Sequence, residues 1–160
     1  MAEPSTPEFV EVDAGSADAQ AAMTSFFSEL AARFPTGFDS TGYLEPEAYN
    51  PPHGRFFLAM SGGDVLACGG LVWIDGQTAE VKRMWVNPAA RGRGLASRLL
   101  AFLEQTAAAT GRPIVRLDSN PVLVEAIAMY RKAGYRDIER YNDNPYAGAW
   151  FEKHVAGDPA

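Results

Sequence analysis

The chain has 160 residues, of which 47% are hydrophobic and 21% are charged, and its formal net charge is −6 at neutral pH. This length predicts one domain (1–160) that can bury a sizeable core, and the acidic balance argues against a nucleic-acid-binding protein, which needs a basic surface. No apolar run is long enough to cross a bilayer. The single Cys68 is typical of a reducing compartment, and the N-terminus does not resemble a signal peptide. We therefore expect a cytoplasmic protein without a membrane partner.

Helix caps, apolar periodicity and Gly/Pro punctuation predict an α/β chain with a mixed sheet. The fourth and fifth strands should be parallel, because a helix crosses between them. The predicted strands lie at 9–12, 55–60, 65–74, 79–86 and 113–117, and two more bracket the loop 141–146, the second at 149–155. The predicted helices lie between Ser16 and Pro35, from 95 to about 110 and from about 121 to 134, with a short one possible within 37–54.

The stretch from 79 to 98 predicts an anion site between the fourth strand and the next helix. Pro88 stops the strand because it has no N–H for a ladder, and Arg91-Gly92-Arg93-Gly94 leads directly into the helix. The first N–H groups of a helix lack internal partners and carry partial positive charge. Glycines let the loop turn its amides toward a ligand, and the arginines suit phosphate oxygens. A phosphate or pyrophosphate group is therefore expected here.

Two common phosphate-binding motifs fit this stretch poorly. A nucleoside-triphosphate P-loop requires Gly-Lys-Ser/Thr after the loop, and none is present. A dinucleotide fingerprint is nearly matched by Gly92-x-Gly94-x-x-Ser97, with Asp118 about where a ribose-binding acid would stand. However, residues 87–91 separate the strand from the turn, and the third glycine is missing.

Two motifs of the chain resemble those of a known family. The pattern Val86-x-Pro88-x-x-Arg91-Gly92-x-Gly94-x-Ala96 is similar to motif A (here about 79–110) of the GCN5-related N-acetyltransferases, or GNAT family. Residues 126–135, with Tyr130, resemble their motif B (here about 113–135). The resemblance implies an α/β fold with a mixed sheet of about seven strands and four helices, parallel only at the splayed fourth and fifth strands. It also implies acetyl-CoA as cosubstrate and no metal, and His53 and His154 lack a second ligand at metal spacing.

By this resemblance, the coenzyme lies against the fourth strand and the glycine loop. The family's usual asparagine in motif B is replaced here by Leu123, and Asn120 either substitutes for it or caps the helix. A backbone N–H near Trp85 or Val86 is the expected oxyanion donor. The predicted coenzyme-binding residues are Met84, Trp85, Val86, Arg91, Gly92, Arg93, Gly94, Leu95, Ala96, Ser97 and Asn120.

Acetyl transfer to an amine needs a base and is helped by an acid. Glu80 matches the glutamate base of histone-acetylating members, although a strand-end carboxylate can also simply pair with Lys or Arg. Tyr130 matches the motif B tyrosine whose hydroxyl approaches the coenzyme sulfur, although a helix aromatic can also serve the core. Cys68 lies in an apolar strand and is expected to be a buried structural thiol, not an acyl carrier.

The expected partner is a small-molecule amine, an amino-acid-like acceptor or a peptide, and dimers are common in the family. Arg83 either pairs with a surface carboxylate or points inward, where it would favour an acceptor with its own carboxylate. The alternative function is a non-catalytic acyl-CoA-binding or sensor domain. The predicted acceptor residues are Arg33, Tyr43, Arg83, Asn142 and Tyr146.

Overall fold

The computed structural model describes residues 6–41 and 45–155, and its centre is a sheet of seven strands in the order β1-β2-β3-β4-β5-β7-β6. Only the β4–β5 pair is parallel, which confirms the predicted mixed sheet. The strands are β1 (Glu8–Val12), β2 (Gly54–Ser61), β3 (Asp64–Trp73), β4 (Thr78–Val86), β5 (Ile114–Ser119), β6 (Arg136–Ile138) and β7 (Ala149–His154). The α-helices are α1 (Ala17–Arg33), α2 (Leu95–Ala109) and α3 (Val124–Lys132).

The expectation of four helices is wrong by one within the described part of the chain. The stretch after α1 contains only a 3-10 turn at Glu47–Tyr49, and a second 3-10 turn lies at Pro88–Ala90. Pro46 precedes the first turn, and Pro51 and Pro52 follow it closely. Proline lacks the N–H that a helix interior requires, so this segment cannot extend into a full helix.

The helices cover opposite faces of the sheet and give the protein two hydrophobic cores. Ser16 caps α1 as predicted, since its Oγ accepts a hydrogen bond from the N–H of Ala19 at 3.3 Å, and α1 buries Met23 and Phe27. On β2, Phe56 and Leu58 belong to the α1 core, whereas the alternate residues Phe57 and Ala59 belong to the core of α2 and α3. None of the helices in the described residues is long and apolar enough to span a membrane.

The strands β4 and β5 separate after a short parallel ladder. The pairing runs from Thr78↔Ile114 to Glu80↔Arg116, and β4 continues beyond it to Val86. Within this continuation, Arg83 has φ +60°, and the register between β3 and β4 shifts between Cys68 and Gly70. This bulge increases the local twist of β4. The resulting gap between β4 and β5 contains the candidate site.

Candidate functional site

Two cavities meet in the gap between β4 and β5. The loop cavity, of about 410 Å³, is lined by the glycine loop, the start of α2 and one side of α3. The aromatic cavity, of about 130 Å³, is lined by rings of α1 and the segments after it together with residues of β4 and β5. The residues that line both cavities are Phe26, Leu30, Met84, Leu123, Ala126 and Tyr130.

The loop cavity has the form of an anion site. Gly92 (φ +83°) and Gly94 (φ +73°) adopt left-handed backbone conformations that glycine tolerates best. Gly94 is the N-cap residue of α2 and supplies no side-chain hydrogen bond to the helix amides. The positive end of the helix therefore faces the cavity without a capping side chain. The predicted coenzyme residues that line this cavity are Met84, Trp85, Val86, Arg91, Gly92, Gly94, Leu95, Ala96 and Ser97.

Two predicted coenzyme residues lie elsewhere. Arg93 projects to the other side of the loop, where it lines a separate surface cavity and its Nη2 donates to the Ala89 carbonyl at 3.3 Å. Asn120 lines the aromatic cavity. Its Nδ2 donates to the carbonyl of Tyr146 at 2.8 Å, and its Oδ1 accepts from the N–H of Val122 at 2.9 Å. Asn120 thus ties the β6–β7 loop to the segment before α3.

Charged residues of α1 border the loop cavity. Glu29 accepts hydrogen bonds from the Arg91 guanidinium and from the Trp85 Nε1–H, the latter at 3.3 Å. Arg33 pairs with Glu125 of α3 at 2.9 Å, and the hydrogen bond from Arg33 lowers the pKa of Glu125. Arg33 lines the loop cavity and does not line the aromatic cavity, where the predicted acceptor residues Arg83 and Tyr146 lie.

Aromatic rings from separate segments enclose the aromatic cavity. Phe38 lies 5.4 Å from the ring of Phe27 and 4.5 Å from the ring of Tyr146. Phe34 stacks on Tyr146 at 5.7 Å, and the Tyr146 oxygen accepts a hydrogen bond from the N–H of Asp39 at 2.8 Å. The predicted acceptor residue Tyr146 is therefore part of this wall, whereas the predicted Tyr43 lies outside the described residues.

The β4 bulge places Arg83 on the wall of the aromatic cavity. Its guanidinium carbon lies 5.3 Å from the Phe27 ring centroid and 5.1 Å from the Tyr49 ring centroid. Of the two orientations considered from the sequence, the structure shows the inward one, because Arg83 lines the cavity together with Lys82 and Asp118. Strand alternation could not reveal this, since the bulge breaks the alternation at Arg83.

A buried hydrogen-bond network joins two carboxylates near the end of the β4–β5 ladder. Glu80 is 8% exposed and does not line either cavity. Its Oε2 accepts from the Tyr141 hydroxyl at 2.6 Å and from Asn142 Nδ2 at 3.1 Å. Burial and the neighbouring Glu80 carboxylate raise the pKa of Tyr141, so this phenol stays protonated. Lys82 Nζ lies 3.8 Å from Glu80 and 3.4 Å from Asp118.

Asp118 is the carboxylate that lines the aromatic cavity. Asn142 Nδ2 donates to it at 2.6 Å, and Asn144 Nδ2 donates at 3.1 Å. Asn142 therefore bridges Glu80 and Asp118 behind the cavity wall and does not line the cavity. The sequence analysis assigned no catalytic role to Asp118. Its position at the end of β5, next to the expected splay, is the signal that could have identified it.

Tyr130 lies where the two cavities meet. It is 8% exposed, and its ring packs against Tyr135 and Phe151. Its hydroxyl makes no hydrogen bond to the described residues. Burial, with a contribution from the Asp118 carboxylate, raises the pKa of Tyr130 to about 12. The phenol is therefore a protonated donor at neutral pH, held between the loop cavity and the aromatic cavity.

The chain is similar to known acetyltransferases. The model of the "Acetyltransferase (GNAT) family" matches residues 23–135. An IAA acetyltransferase of Azospirillum brasilense is 36% identical over 62% of this chain; the match covers 65% of that protein, so the chain spans less than two thirds of it. The N-alpha-acetyltransferase RimI of Mycobacterium tuberculosis is 31% identical over 83% of this chain and 87% of its own.

A solved structure shares the fold across nearly all of the chain. The GNAT family acetyltransferase of Elizabethkingia anophelis, determined with acetyl-CoA bound, superposes with a TM-score of 0.68 at 15% identity, covering 94% of this chain and 99% of its own. The family model covers both sequence motifs. The chain therefore belongs to the acetyltransferase (GNAT) family.

Proposed function

We propose that the protein is an acetyl-CoA-dependent N-acetyltransferase that moves the acetyl group directly to a primary amine of a small molecule or peptide. The observation that carries this proposal is the meeting of the loop cavity and the aromatic cavity at Tyr130. A site for an anionic coenzyme and a site for an acceptor are thereby joined at one proton donor. Family membership supports the same reaction class.

The residues of the loop cavity fit coenzyme A. The amides at the start of α2, with Arg91 beside them, suit a pyrophosphate. The backbone of Met84, Trp85 and Val86 lies beyond the β4–β5 ladder and borders the same cavity, so its polar groups suit the amides of a pantetheine arm. When bound, acetyl-CoA supplies an activated acetyl thioester that an amine can attack.

The carboxylates account for removal of the amine proton. Alkylammonium groups have pKa values near ~10, and only the neutral amine attacks. Asp118 on the cavity wall receives this proton. Glu80, the base expected from the family, connects to Asp118 through Asn142 and Lys82. In this proposal Glu80 acts through the network and Asp118 touches the acceptor.

Tyr130 acts as the acid. Its phenol remains protonated at neutral pH because its pKa is raised to about 12. It borders both cavities, so it can donate its proton to the leaving thiolate. Cys68 does not carry the acetyl group in this proposal, because the residue is fully buried in the sheet and its raised pKa keeps the thiol neutral.

The test is release of free thiol from acetyl-CoA in the presence of a broad panel of amines, with calorimetric binding of acetyl-CoA measured in parallel. Turnover with one chemical class of amine, weakened in Tyr130→Phe, is the expected result. Tight binding of acetyl-CoA with no turnover on any amine or peptide would favour a non-catalytic acyl-CoA-binding domain. Absence of binding would overturn the coenzyme assignment of the loop cavity.

A further inference from the structure

We infer that the acceptor is a free α-amino acid with an apolar side chain, whose carboxylate binds Arg83 and whose amino group binds Asp118. This inference rests on the proposed function and names its substrate class. It follows from the charges on the cavity wall, the rings around them and the size of the space. Each of these features limits the acceptor in a different way.

Side chains of opposite charge line the aromatic cavity. Asp118 lies on β5, with its carboxylate held by Asn142 and Asn144 of the β6–β7 loop. Arg83 lies on β4 and faces Phe27 and Tyr49, on the side where α1 and β2 pack. Lys82 also lines the cavity and is shared between Asp118 at 3.4 Å and Glu80 at 3.8 Å, so one cation faces two carboxylates and this wall keeps a formal charge of −1. Arg83 gives another wall a positive charge. An acceptor with an ammonium and a carboxylate matches both.

The surroundings strengthen this charge recognition. Arg83 is half-buried and lies against the rings of Phe27 and Tyr49, and charge-assisted hydrogen bonds are stronger where part of the water is removed. A guanidinium can bind a carboxylate through two parallel hydrogen bonds. An acceptor amine without a carboxylate would place apolar surface or a neutral group against Arg83. Such a ligand could not form the ion pair with Arg83.

The size and lining of the cavity define the side chain. Its volume of about 130 Å³ is below the ~300 Å³ at which typical small-molecule pockets begin. The rings of Phe27, Phe34, Phe38 and Tyr146 give it an apolar lining. One aliphatic or aromatic amino-acid side chain therefore suits this space. A peptide N-terminus suits it less well, because its first residue carries an amide where a free amino acid carries the carboxylate.

The experiment compares L-leucine, L-methionine and L-phenylalanine with their carboxamides and decarboxylated amines as acceptors. We expect kcat/KM of the wild type to be at least ~100-fold higher for the best amino acid than for its two analogues, as loss of a buried charged contact implies. Calorimetric titration of the same compounds, with coenzyme A present, should show the same preference in affinity. Equal rates for an amino acid and its carboxamide would overturn the inference but leave the proposed function intact.

The Arg83→Met variant separates recognition from structure. We expect it to raise KM for the amino acid by ~100-fold, to remove most of the preference for the amino acid over its carboxamide and amine, and to retain coenzyme A binding. Arg83→Lys should recover part of the affinity. Arg112→Met is the matched control, because Arg112 also lies over an aromatic ring, Trp73 at 4.1 Å, but lines neither cavity. An equal loss on all acceptors would overturn the carboxylate assignment.

The two proposals fail in different ways. If no compound is acetylated, calorimetric binding of an amino acid that is lost in Arg83→Met would still support the amino-acid site while contradicting the enzyme. If short peptides are acetylated faster than any free amino acid, the enzyme stands and the inference is wrong. If Arg83→Met does not fold, the wild-type comparison of amino acid with carboxamide decides the question alone.

Discussion

The loop cavity and the aromatic cavity are built in different ways. Most of the loop cavity comes from one stretch of chain, from Met84 to Ser97, and its anion-binding groups are mainly backbone amides. The aromatic cavity collects side chains from α1, the segment after it, β4, β5 and the β6–β7 loop. A site made of local backbone can be predicted from the sequence, whereas a site made of side chains that are distant in sequence can be described only from the folded structure. The following predictions test this difference.

The largest effect is expected from Gly94→Glu. The substitution places a carboxylate at the positive end of α2, where the anionic coenzyme is proposed to bind, so affinity for acetyl-CoA should fall by ~100-fold or more. Its matched control is Gly111→Glu at the other end of the same helix. Both glycines have positive φ, +73° and +84°, and neither has a neighbour within 4 Å of an added Cβ.

Both substitutions should destabilise the fold by ~1–2 kcal/mol, because both force a non-glycine residue into a left-handed conformation. Gly111→Glu should cost a further ~0.3–1 kcal/mol, because its carboxylate lies at the negative end of α2. Calorimetry with acetyl-CoA should separate them. Unchanged affinity in Gly94→Glu, or an equal loss in Gly111→Glu, would show that the loop cavity is not the coenzyme site.

The second effect concerns the two carboxylates. Asp118→Asn should lower kcat/KM by about 100-fold, because it removes the proton acceptor from the cavity wall. Glu80→Gln should lower it by about 10-fold, since Glu80 touches only the network behind the wall. Both variants are measured in steady-state turnover at saturating acetyl-CoA. A larger loss of kcat/KM in Glu80→Gln than in Asp118→Asn would indicate that Glu80, and not Asp118, is the base.

The third effect concerns the acid. Tyr130→Phe should lower kcat by ~10-fold or more while leaving acetyl-CoA affinity nearly unchanged. With the pKa of Tyr130 at about 12, the wild-type rate should rise with pH as the amine loses its proton, and it should not fall again below about pH 10.5. An alkaline fall near pH 9 would contradict the role of Tyr130 as the acid.

Tyr135→Phe is the matched control for Tyr130→Phe. The two rings lie 6.1 Å apart, but the Tyr135 hydroxyl donates to Glu104 at 3.0 Å inside the core and lines neither cavity. Its removal leaves a buried carboxylate with one fewer donor, so the free energy of unfolding should fall by about 1–3 kcal/mol with kcat unchanged. A similar loss of kcat in both variants would indicate a general effect on α3.

Sequence reasoning predicted the sheet, its parallel β4–β5 pair and most of the loop cavity, because these depend on local patterns. Proline and glycine positions define the ends of β4 and the start of α2. The side chains of this loop were less predictable. Arg91 and Arg93 look equivalent in the sequence, but Arg91 lines the loop cavity and Arg93 lies on the other side. Gly92 lies between them with φ +83°, and the sequence does not give this backbone direction.

The aromatic cavity was predicted only in part, for a physical reason. The bulge in β4 shifts its register against β3, so alternation could not give the orientation of Arg83. Asp118 and Asn142 are 24 positions apart in the sequence and meet because β5 pairs with β7 next to the β6–β7 loop. Contacts of this kind follow from topology and leave no local pattern. The hydrogen bonds that Glu80 accepts from Tyr141 and Asn142 could not be predicted from the sequence for the same reason.

The smallest effect is expected at Cys68, which lies behind the aromatic cavity. Its Sγ–H donates to the carbonyl of Arg83 at 3.2 Å, and burial raises the pKa of the thiol to about 12. Since the thiol is neutral and fully buried, Cys68→Ala should keep kcat within ~3-fold and reduce the free energy of unfolding by about 1–2 kcal/mol.

Chemical labelling checks the same point without a mutation. Iodoacetamide should not modify the native protein and should modify this single cysteine completely after denaturation, because alkylation requires an accessible thiolate. Loss of turnover in Cys68→Ala, together with rapid labelling of the native protein, would indicate an acyl-cysteine. The acetyl group would then pass through a Cys68 thioester before it reaches the amine, which would contradict direct transfer from the coenzyme.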